Sequence, residues 1–358
     1  MATNQTLSKD ALLRLIPNFV VYSLVGSCTL VLSLLTVLTV CTHKILRQKK
    51  EYLFLWALAC TDSLSSFALL TAGVGRLFLI FSHRATRLVT SLDCVFVPWN
   101  LCWLITDHTQ GAILFLVSLD RVILVFWPLR YIGYGRSYAA GLLALFCLPY
   151  LVMIGWLVGK LLLSDNLPAD KPNICFTSFI YDKSYFHLVT TQKAVFTYLS
   201  VLLYLLVVYK YKKSLANVAP ALVHDQLEME KRKQRRLTVT LGFSCGFTFI
   251  FVVLPLLLRN LLAWLDGSNE SMTYFLSILG PIEYFNPTLN FVLYATRHRD
   301  IRIGLQCLLS CKKLTGSMLE NSAPEGSAKH SHDPPRALRP RAATVNPEKP
   351  VGIGRAWI

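Results

Sequence analysis

Seven apolar runs, each long enough to cross the hydrocarbon core of a bilayer, constrain this chain more than any other feature. They cover roughly Asn18 to Cys41, Tyr52 to Phe81, Val95 to Leu119, Ala139 to Leu163, Leu188 to Tyr209, Leu237 to Trp264 and Met272 to Thr296. Lipid offers a backbone N–H or C=O no partner outside its own segment, so runs of this length read as helices. The chain is expected to be an all-α membrane protein. Only 16% of its residues are charged, against about a quarter in soluble domains, which agrees with that class.

The net charge of +16 does not point to nucleic acid, because the basic residues cluster beside the apolar runs, as in cytosolic loops facing anionic lipid. Fourteen Lys and Arg fall in residues 42–51, 128–138 and 210–236, and four in residues 82–93, 163–187 and 265–271. That asymmetry places the N-terminus outside and the C-terminus in the cytosol, the parity that seven spans require. Two glycosylation triplets, at Asn4 and Asn269, fall on the outer side in this orientation. Met1 to Asp10 is polar, so no signal peptide is expected ahead of the first span. The expected organisation is an extracellular N-terminus (1–17), the spanning bundle (18–296), an amphipathic segment (297–311) and a disordered cytosolic tail (312–358).

In the amphipathic segment Ile301, Leu305 and Leu308 share a face, with Arg297, Arg299 and Arg302 available to lipid headgroups. Cys307 and Cys311, close to the membrane, are candidate palmitoylation sites. The ten cysteines show no zinc spacing, and no Gly-rich phosphate loop or metal cluster occurs, so neither an enzyme nor a metal protein is expected.

Ionisable residues inside spans are costly and draw attention to function. Asp62 lies in mid-span 2, and Asp120-Arg121 end the third apolar run as a helix-end anchor or a polar switch at the membrane face. The outward half holds Arg76, Asp107, His108, Lys193, Arg259 and Glu283. With Trp103, Tyr198 and Tyr284 they could form a mixed-sign pocket for a zwitterionic or peptide ligand. Alternatively, Lys193 with Glu283 or Asp107 forms internal ion pairs that fix helix packing. His108 reads as a hydrogen-bonding interior histidine rather than a metal ligand.

Ser118-Leu119-Asp120-Arg121-Val122, followed by Phe126-Trp127-Pro128-Leu129-Arg130-Tyr131, resembles the Asp-Arg-Tyr motif and second intracellular loop of rhodopsin-like (class A) G-protein-coupled receptors, with Val122 in place of tyrosine. Leu58-Ala59-Cys60-Thr61-Asp62 resembles their Leu-Ala-x-x-Asp motif. Asn290-Phe291-Val292-Leu293-Tyr294 is similar to Asn-Pro-x-x-Tyr, with Phe291 replacing proline. A second register, on Asn286-Pro287, would put Asn290 at the tyrosine; the register on Asn290 also matches Tyr294 to Arg302 to the usual helix 8 entry. The resemblance spans about residues 18–311. The Asn-Phe-x-x-Tyr ending, with Arg47-Gln48-Lys49 to Tyr52 and Ala57-Leu58-Ala59, is similar to FMRFamide-type neuropeptide receptors and related vertebrate orphan receptors.

This resemblance implies a seven-transmembrane-helix bundle with a short amphipathic helix 8, at the plasma membrane. It implies an extracellular ligand, a heterotrimeric G protein, and arrestin, receptor kinases and membrane lipid as further partners. Trp103, Asp107, Lys193, Arg259, Glu283 and Tyr284 would face the ligand. Trp103 stands where amine receptors carry their ammonium-binding acid, with Asp107 a turn deeper, and span 7 lacks the lysine of an opsin. Asp62 and Asn290 would belong to a sodium and water network, and Cys94 and Cys175 to a disulfide. Movement of span 6 about Pro255 would open a cleft where Arg121, partnered at rest by Asp120, meets the G protein with Tyr204 and Tyr294. Phe249, six residues before Pro255, matches the aromatic that repacks on activation.

Several positions depart from the pattern. Ser33 replaces a span 1 Asn, Phe196 a span 5 proline, and Val252-Val253-Leu254-Pro255 lacks the span 6 tryptophan. Cys94 also lies slightly further from Arg121 than the family spacing. These departures argue against efficient ligand-driven switching and leave open a non-signalling receptor-like protein. A membrane transporter is the remaining alternative, although no internal repeat relates the halves.

Overall fold

The computed structural model describes residues 9–127, 130–131, 133–163, 169–177, 183–217, 243, 246–264, 282–297, 299–312, 314 and 318. Asn4, Asn269, the basic run from Lys231 to Arg236 and the side chain of Arg259 lie outside the described residues. Among the described residues, five helices are long and apolar enough to cross a bilayer. They are Lys9–Thr42 (span 1), Lys50–Phe81 (span 2), Pro98–Phe126 (span 3), Arg136–Leu162 (span 4) and Lys183–Asn217 (span 5). Span 6 is described as a π-helical turn, Phe249–Val253, running into the helix Leu254–Trp264, and span 7 as Phe285–Arg297. The amphipathic helix 8 is Arg299–Leu309.

The spans close a ring. Span 3 is central, touching spans 2, 4 and 5; span 5 meets span 6, span 6 meets span 7, and span 7 returns to span 1. Spans 1 and 2 run closest together, and two glycines explain why. A Cβ on Gly26 would lie 2.5 Å from the Leu70 backbone nitrogen, and one on Gly73 would lie 2.7 Å from the Phe19 carbonyl oxygen. Between helices in lipid, attraction comes largely from close backbone packing, which small residues permit.

Span 1 begins at Lys9, ahead of the expected Asn18, and passes through Pro17. The added turns bring Leu12 into a buried cluster with Phe19 and with Ala85 and Ile174, from the loops at that end of the bundle. Span 3 departs from its apolar run in the other direction. Cys94 sits on a separate short helix, Ser91–Phe96, and the spanning helix restarts at Pro98 after an extended Val97. Proline lacks the N–H that a helix interior needs but suits the first helical turn, so the break falls where Pro98 puts it. Thr90 and Asp93 form a reciprocal capping box on the short helix. Those bonds from Thr90 hold the Asp93 carboxyl below the usual carboxylate range.

Cys94 is joined to Cys175, with Cα atoms 5.3 Å apart. Around the bridge, Leu88–Val89 pairs antiparallel with Lys171–Pro172 in the register Leu88↔Pro172 and Val89↔Lys171. The buried Asn100 amide donates to the carbonyls of both Cys94 (2.8 Å) and Cys175 (3.1 Å), so the loop is fastened to span 3 on both sides of the disulfide.

At the opposite end, helix 8 docks on span 1. Gly304 approaches so closely that a Cβ would meet Thr39 Cγ2 at 2.9 Å, and His43 Nε2 hydrogen-bonds the Gly304 carbonyl at 2.9 Å. Asp300 accepts from Lys49 Nζ (2.6 Å) and the Tyr52 hydroxyl (3.1 Å). The buried residues are Ile301, Gly304 and Cys307. Cys307 is therefore only 7% exposed, against the expectation of a reachable thiol, because it faces the docking side with Gly304. Cys311, just past the helix, is exposed.

The close approach of spans 1 and 2 yields a test. Gly73→Val should overpack this contact and destabilise the bundle by about 1–3 kcal/mol. Gly141→Ala, which meets nothing within 4 Å, should leave stability unchanged. Thermal melts of the purified protein distinguish the two, and equal melting of both variants would contradict the packing described.

Candidate functional site

The charged groups of the disulfide end converge from three spans. Lys193 Nζ lies 3.1 Å from Asp107 Oδ1 and 3.4 Å from Glu283 Oε2, so one cation of span 5 ties acids at spans 3 and 7. Both pairings considered in the sequence occur together. Beside them, Trp103 Nε1 donates to the Tyr284 hydroxyl at 2.6 Å, and Ser65 of span 2 reaches the same oxygen at 3.4 Å. Asp107 is the most exposed member of the ion cluster. Tyr198 stays apart, half-exposed on the outside of span 5. His108 is buried, with Nε2 2.9 Å from the Tyr185 hydroxyl and its ring stacked on Tyr150, so it serves packing.

Arg76 of span 2 lies on the other side of Trp103. It is 2% exposed, and its Nε and Nη2 donate to the carbonyls of Ile174 and Cys175, each at 3.2 Å. Its guanidinium carbon is 5.5 Å from the Trp103 ring centre and 4.8 Å from that of Phe176. No carboxylate pairs with it among the described residues.

Deeper in the bundle Asp62 is buried, and Gln110 Nε2 of span 3 donates to its Oδ1 at 3.2 Å. Asp62 also borders a small cavity lined by Ser33, Thr36, Asn290, Phe291 and Tyr294. A carboxylate surrounded by hydroxyl and amide oxygens is a hard donor set of the kind that suits a small hard cation. The residues around Asp62 therefore fit a sodium ion, on the carboxylate oxygen that Gln110 leaves open. Asn286, of the other register, is buried too and accepts from Thr248 of span 6 at 3.2 Å.

At the end opposite the disulfide, Asp120 and Arg121 are buried on span 3. Their ion pair is long, Arg121 Nε to Asp120 Oδ2 at 3.7 Å, and neither Arg121 Nε nor Asp120 Oδ1 has a hydrogen-bond partner among the described residues. The shorter contact comes from Tyr131, whose hydroxyl donates to Asp120 Oδ2 at 3.0 Å. Burial raises the pKa of that hydroxyl, and Asp120 raises it further, so Tyr131 remains a donor. Lys50, at the start of span 2, holds the same loop by donating to the carbonyls of Tyr131 (2.6 Å) and Tyr134 (2.8 Å). Tyr204 and Tyr294 are buried in spans 5 and 7.

Phe249 does not pack inside. It is 41% exposed, while Thr248, Val252 and Val253 turn inward. Pro255 cannot donate to the preceding turn, and the wide turn Phe249–Val253 just before it rotates the register away from that of a regular helix. Arg76 is one of the outward ionisable residues read from the sequence, whereas Gln110 is not singled out there. The signal for Gln110 was its helical spacing from Asp107 and Trp103, all on one face of span 3.

Residues 33–294 match the family described as 7 transmembrane receptor (rhodopsin family). Trace amine-associated receptor 365 of Petromyzon marinus is 26% identical over 301 residues, which cover 80% of this chain and 77% of that receptor.

The ion cluster makes its own prediction. Lys193→Met leaves Asp107 and Glu283 without their shared cation. It should destabilise the bundle by about 3 kcal/mol, the low end for a broken buried pair because Asp107 is partly exposed. Adding Glu283→Gln should restore much of the melting temperature. If the single and double variants melt alike, Lys193 is not tying these acids together.

Proposed function

We propose, since the chain belongs to the rhodopsin family of seven-transmembrane receptors, that it binds its ligand at the Asp107–Lys193–Glu283 cluster and activates a heterotrimeric G protein from the Asp120–Arg121 end. The carrying observation is Lys193, one buried cation that ties three spans together where Trp103 and Tyr284 supply aromatic surface. A ligand charge that competes for any member of this cluster loosens spans 3, 5 and 7 at once. The loop lysines and arginines, with the triplets at Asn4 and Asn269, support an extracellular N-terminus and a cytosolic C-terminus.

The name of the lamprey relative refers to trace amines. In this chain Trp103 occupies the amine-receptor acid position, so an ammonium group would be met by Asp107 below it. The mixed charges of the cluster favour a peptide or a small zwitterionic, aromatic molecule over a simple amine. Arg259 would be a further ligand contact from span 6.

Asp62 and Asn290 would hold a sodium ion, which offsets the buried carboxylate charge when bound. Span 6, hinged at the π turn and Pro255, would move to expose Arg121, with Tyr204 and Tyr294 as its new neighbours and Phe249 repacking beside them. At rest Tyr131 competes with Arg121 for Asp120, so the arginine is weakly held and basal activity is expected. Cys311, the exposed thiol after helix 8, is the better palmitoylation site and would anchor the helix to lipid. Arrestin and receptor kinases would use the same cytosolic face.

The test is a screen of amino acids, amines and short peptides against cells expressing the chain, read as nucleotide exchange on co-expressed G proteins. Asp120→Asn should raise basal exchange, by up to about tenfold if it shifts the resting equilibrium by about 1.4 kcal/mol. Arg121→Ala should abolish stimulated exchange and leave ligand binding intact. An Arg121→Ala receptor that signals like wild type at matched surface expression would refute this mechanism.

A further inference from the structure

At the end opposite the disulfide two complementary groups lie side by side and do not close on one another. Arg121 Nε and Asp120 Oδ1 are both buried without a hydrogen-bond partner among the described residues, and the ion pair between the two side chains spans 3.7 Å. Leaving a buried donor and a buried acceptor unmade is costly, so something holds this pair open.

The holder is Tyr131, which is buried and donates its hydroxyl to Asp120 Oδ2 at 3.0 Å. It sits in a short turn after span 3, closed by bonds from the Tyr131 N–H to the Trp127 carbonyl (2.9 Å) and from the Tyr134 N–H to the Tyr131 carbonyl (3.1 Å). A single turn of this kind is marginal by itself. Lys50 completes it. Its Nζ donates to the carbonyls of Tyr131 (2.6 Å) and Tyr134 (2.8 Å) and lies 3.5 Å from the centre of the Tyr131 ring. One ammonium thus satisfies two carbonyls at the end of the turn and fixes the ring face as well. Lys50 is itself anchored, as the first residue of the span 2 helix beside Lys49, which pairs with Asp300 of helix 8. On the far side of the loop the Tyr134 ring stacks on Tyr138 of span 4, with centres 4.5 Å apart.

We infer that Lys50 is a positioning residue of the coupling end: by seating Tyr131 against Asp120 it keeps Arg121 off its own acid and sets the basal activity of the receptor. This rests on reading the Asp120–Arg121 end as the face that activates the G protein. The competing role for Lys50 is that of a plain loop fastener, whose loss would detach the loop without tightening Arg121.

The experiment reads nucleotide exchange with the full chain in membranes and melting with the purified full chain. Lys50→Met and Tyr131→Phe should each lower basal exchange by about threefold or more, because Asp120 is released to Arg121. Lys50→Arg, which keeps the charge and can donate to both carbonyls, should stay near wild type. In an Asp120→Asn background there is no acid left to release, so adding Lys50→Met should give the same raised exchange as Asp120→Asn alone. A loop fastener predicts a fall there too. Lys50→Gln takes the place of Lys50→Met if the latter does not reach the membrane.

Melting tests the clamp without any G protein. Tyr131→Phe should lower the melting temperature when Lys50 is present and leave it unchanged in the Lys50→Met variant, where the hydroxyl has already lost its seat. Three results would overturn the inference: basal exchange that holds or rises in both single variants, an equal fall from Lys50→Met with and without Asp120→Asn, or an equal melting loss from Tyr131→Phe with and without Lys50. If the wild type drives no exchange on any G protein, the coupling reading fails, and the melting cycle alone decides whether Lys50 seats Tyr131.

Discussion

A bilayer offers a polar group nothing to bond to, and the whole architecture follows from that. Backbone groups are satisfied within helices, and small hydroxyls bond back to the turn before them, as Ser33 does to Thr29, Thr39 to Leu35 and Thr197 to Lys193. A buried charged side chain cannot be satisfied in this way. It has to reach another span or a loop. Lys193 therefore reaches spans 3 and 7, Arg76 reaches the loop of Cys175, and Asp62 takes an amide from Gln110. The two charged ends and the Asp62 layer specify spans against one another, neutral bonds such as Ser118 with Ser200 and Thr248 with Asn286 add to them, and apolar contact supplies the rest.

The number and rough extent of the spans were legible because crossing a membrane is a matter of apolar length, which can be counted. Their ends were less so. Val95 reads as part of a continuous apolar run, yet Pro98 and the Thr90 capping box split that run in two. Span 1 starts earlier than its hydropathy suggests because Leu12 is buried by the loops at the disulfide end, a contact no local pattern announces. The outward turn of Phe249 has a similar cause: counting back from Pro255 assumes a regular helix, and the π turn removes that assumption. Cys307 is a palmitoylation candidate by its nearness to the membrane, and only the docking of helix 8 at Gly304 reveals that it lies on the covered face.

The candidate site divides in the same way. Asp107, Lys193 and Glu283 could be suspected from their cost in a span, and their mutual pairing was one of the options open. The loosening of the Asp120–Arg121 pair was not visible, because Tyr131, which takes the better contact with Asp120, is itself positioned by Lys50 from the start of span 2. Arg76 stands out as an ionisable residue, but its bonds to the Ile174 and Cys175 carbonyls depend on how that loop folds over it.

The two ends are joined by more than apolar packing. Trp103, Asp107 and Gln110 lie at helical spacing on one face of span 3, so each is fixed relative to the others by a single rigid helix. Each touches a different partner: Tyr284 of the span 7 side, Lys193 of span 5, and Asp62 of span 2. Tyr284 in turn meets Ser65, which lies a turn from Asp62 on span 2, so spans 2 and 3 are cross-linked at two heights. A charge that displaces Lys193 from Asp107 acts on the same helix that carries Gln110 and, further along, Asp120 and Arg121. Coupling requires an element with two stable arrangements, not merely a chain of contacts. The π turn before Pro255 replaces the regular i→i+4 ladder with wider i→i+5 bonds and is tied to span 7 through Thr248 and Asn286. Span 6 is thereby bonded to span 7 at the buried Asn286, close in sequence to the Glu283 that Lys193 holds.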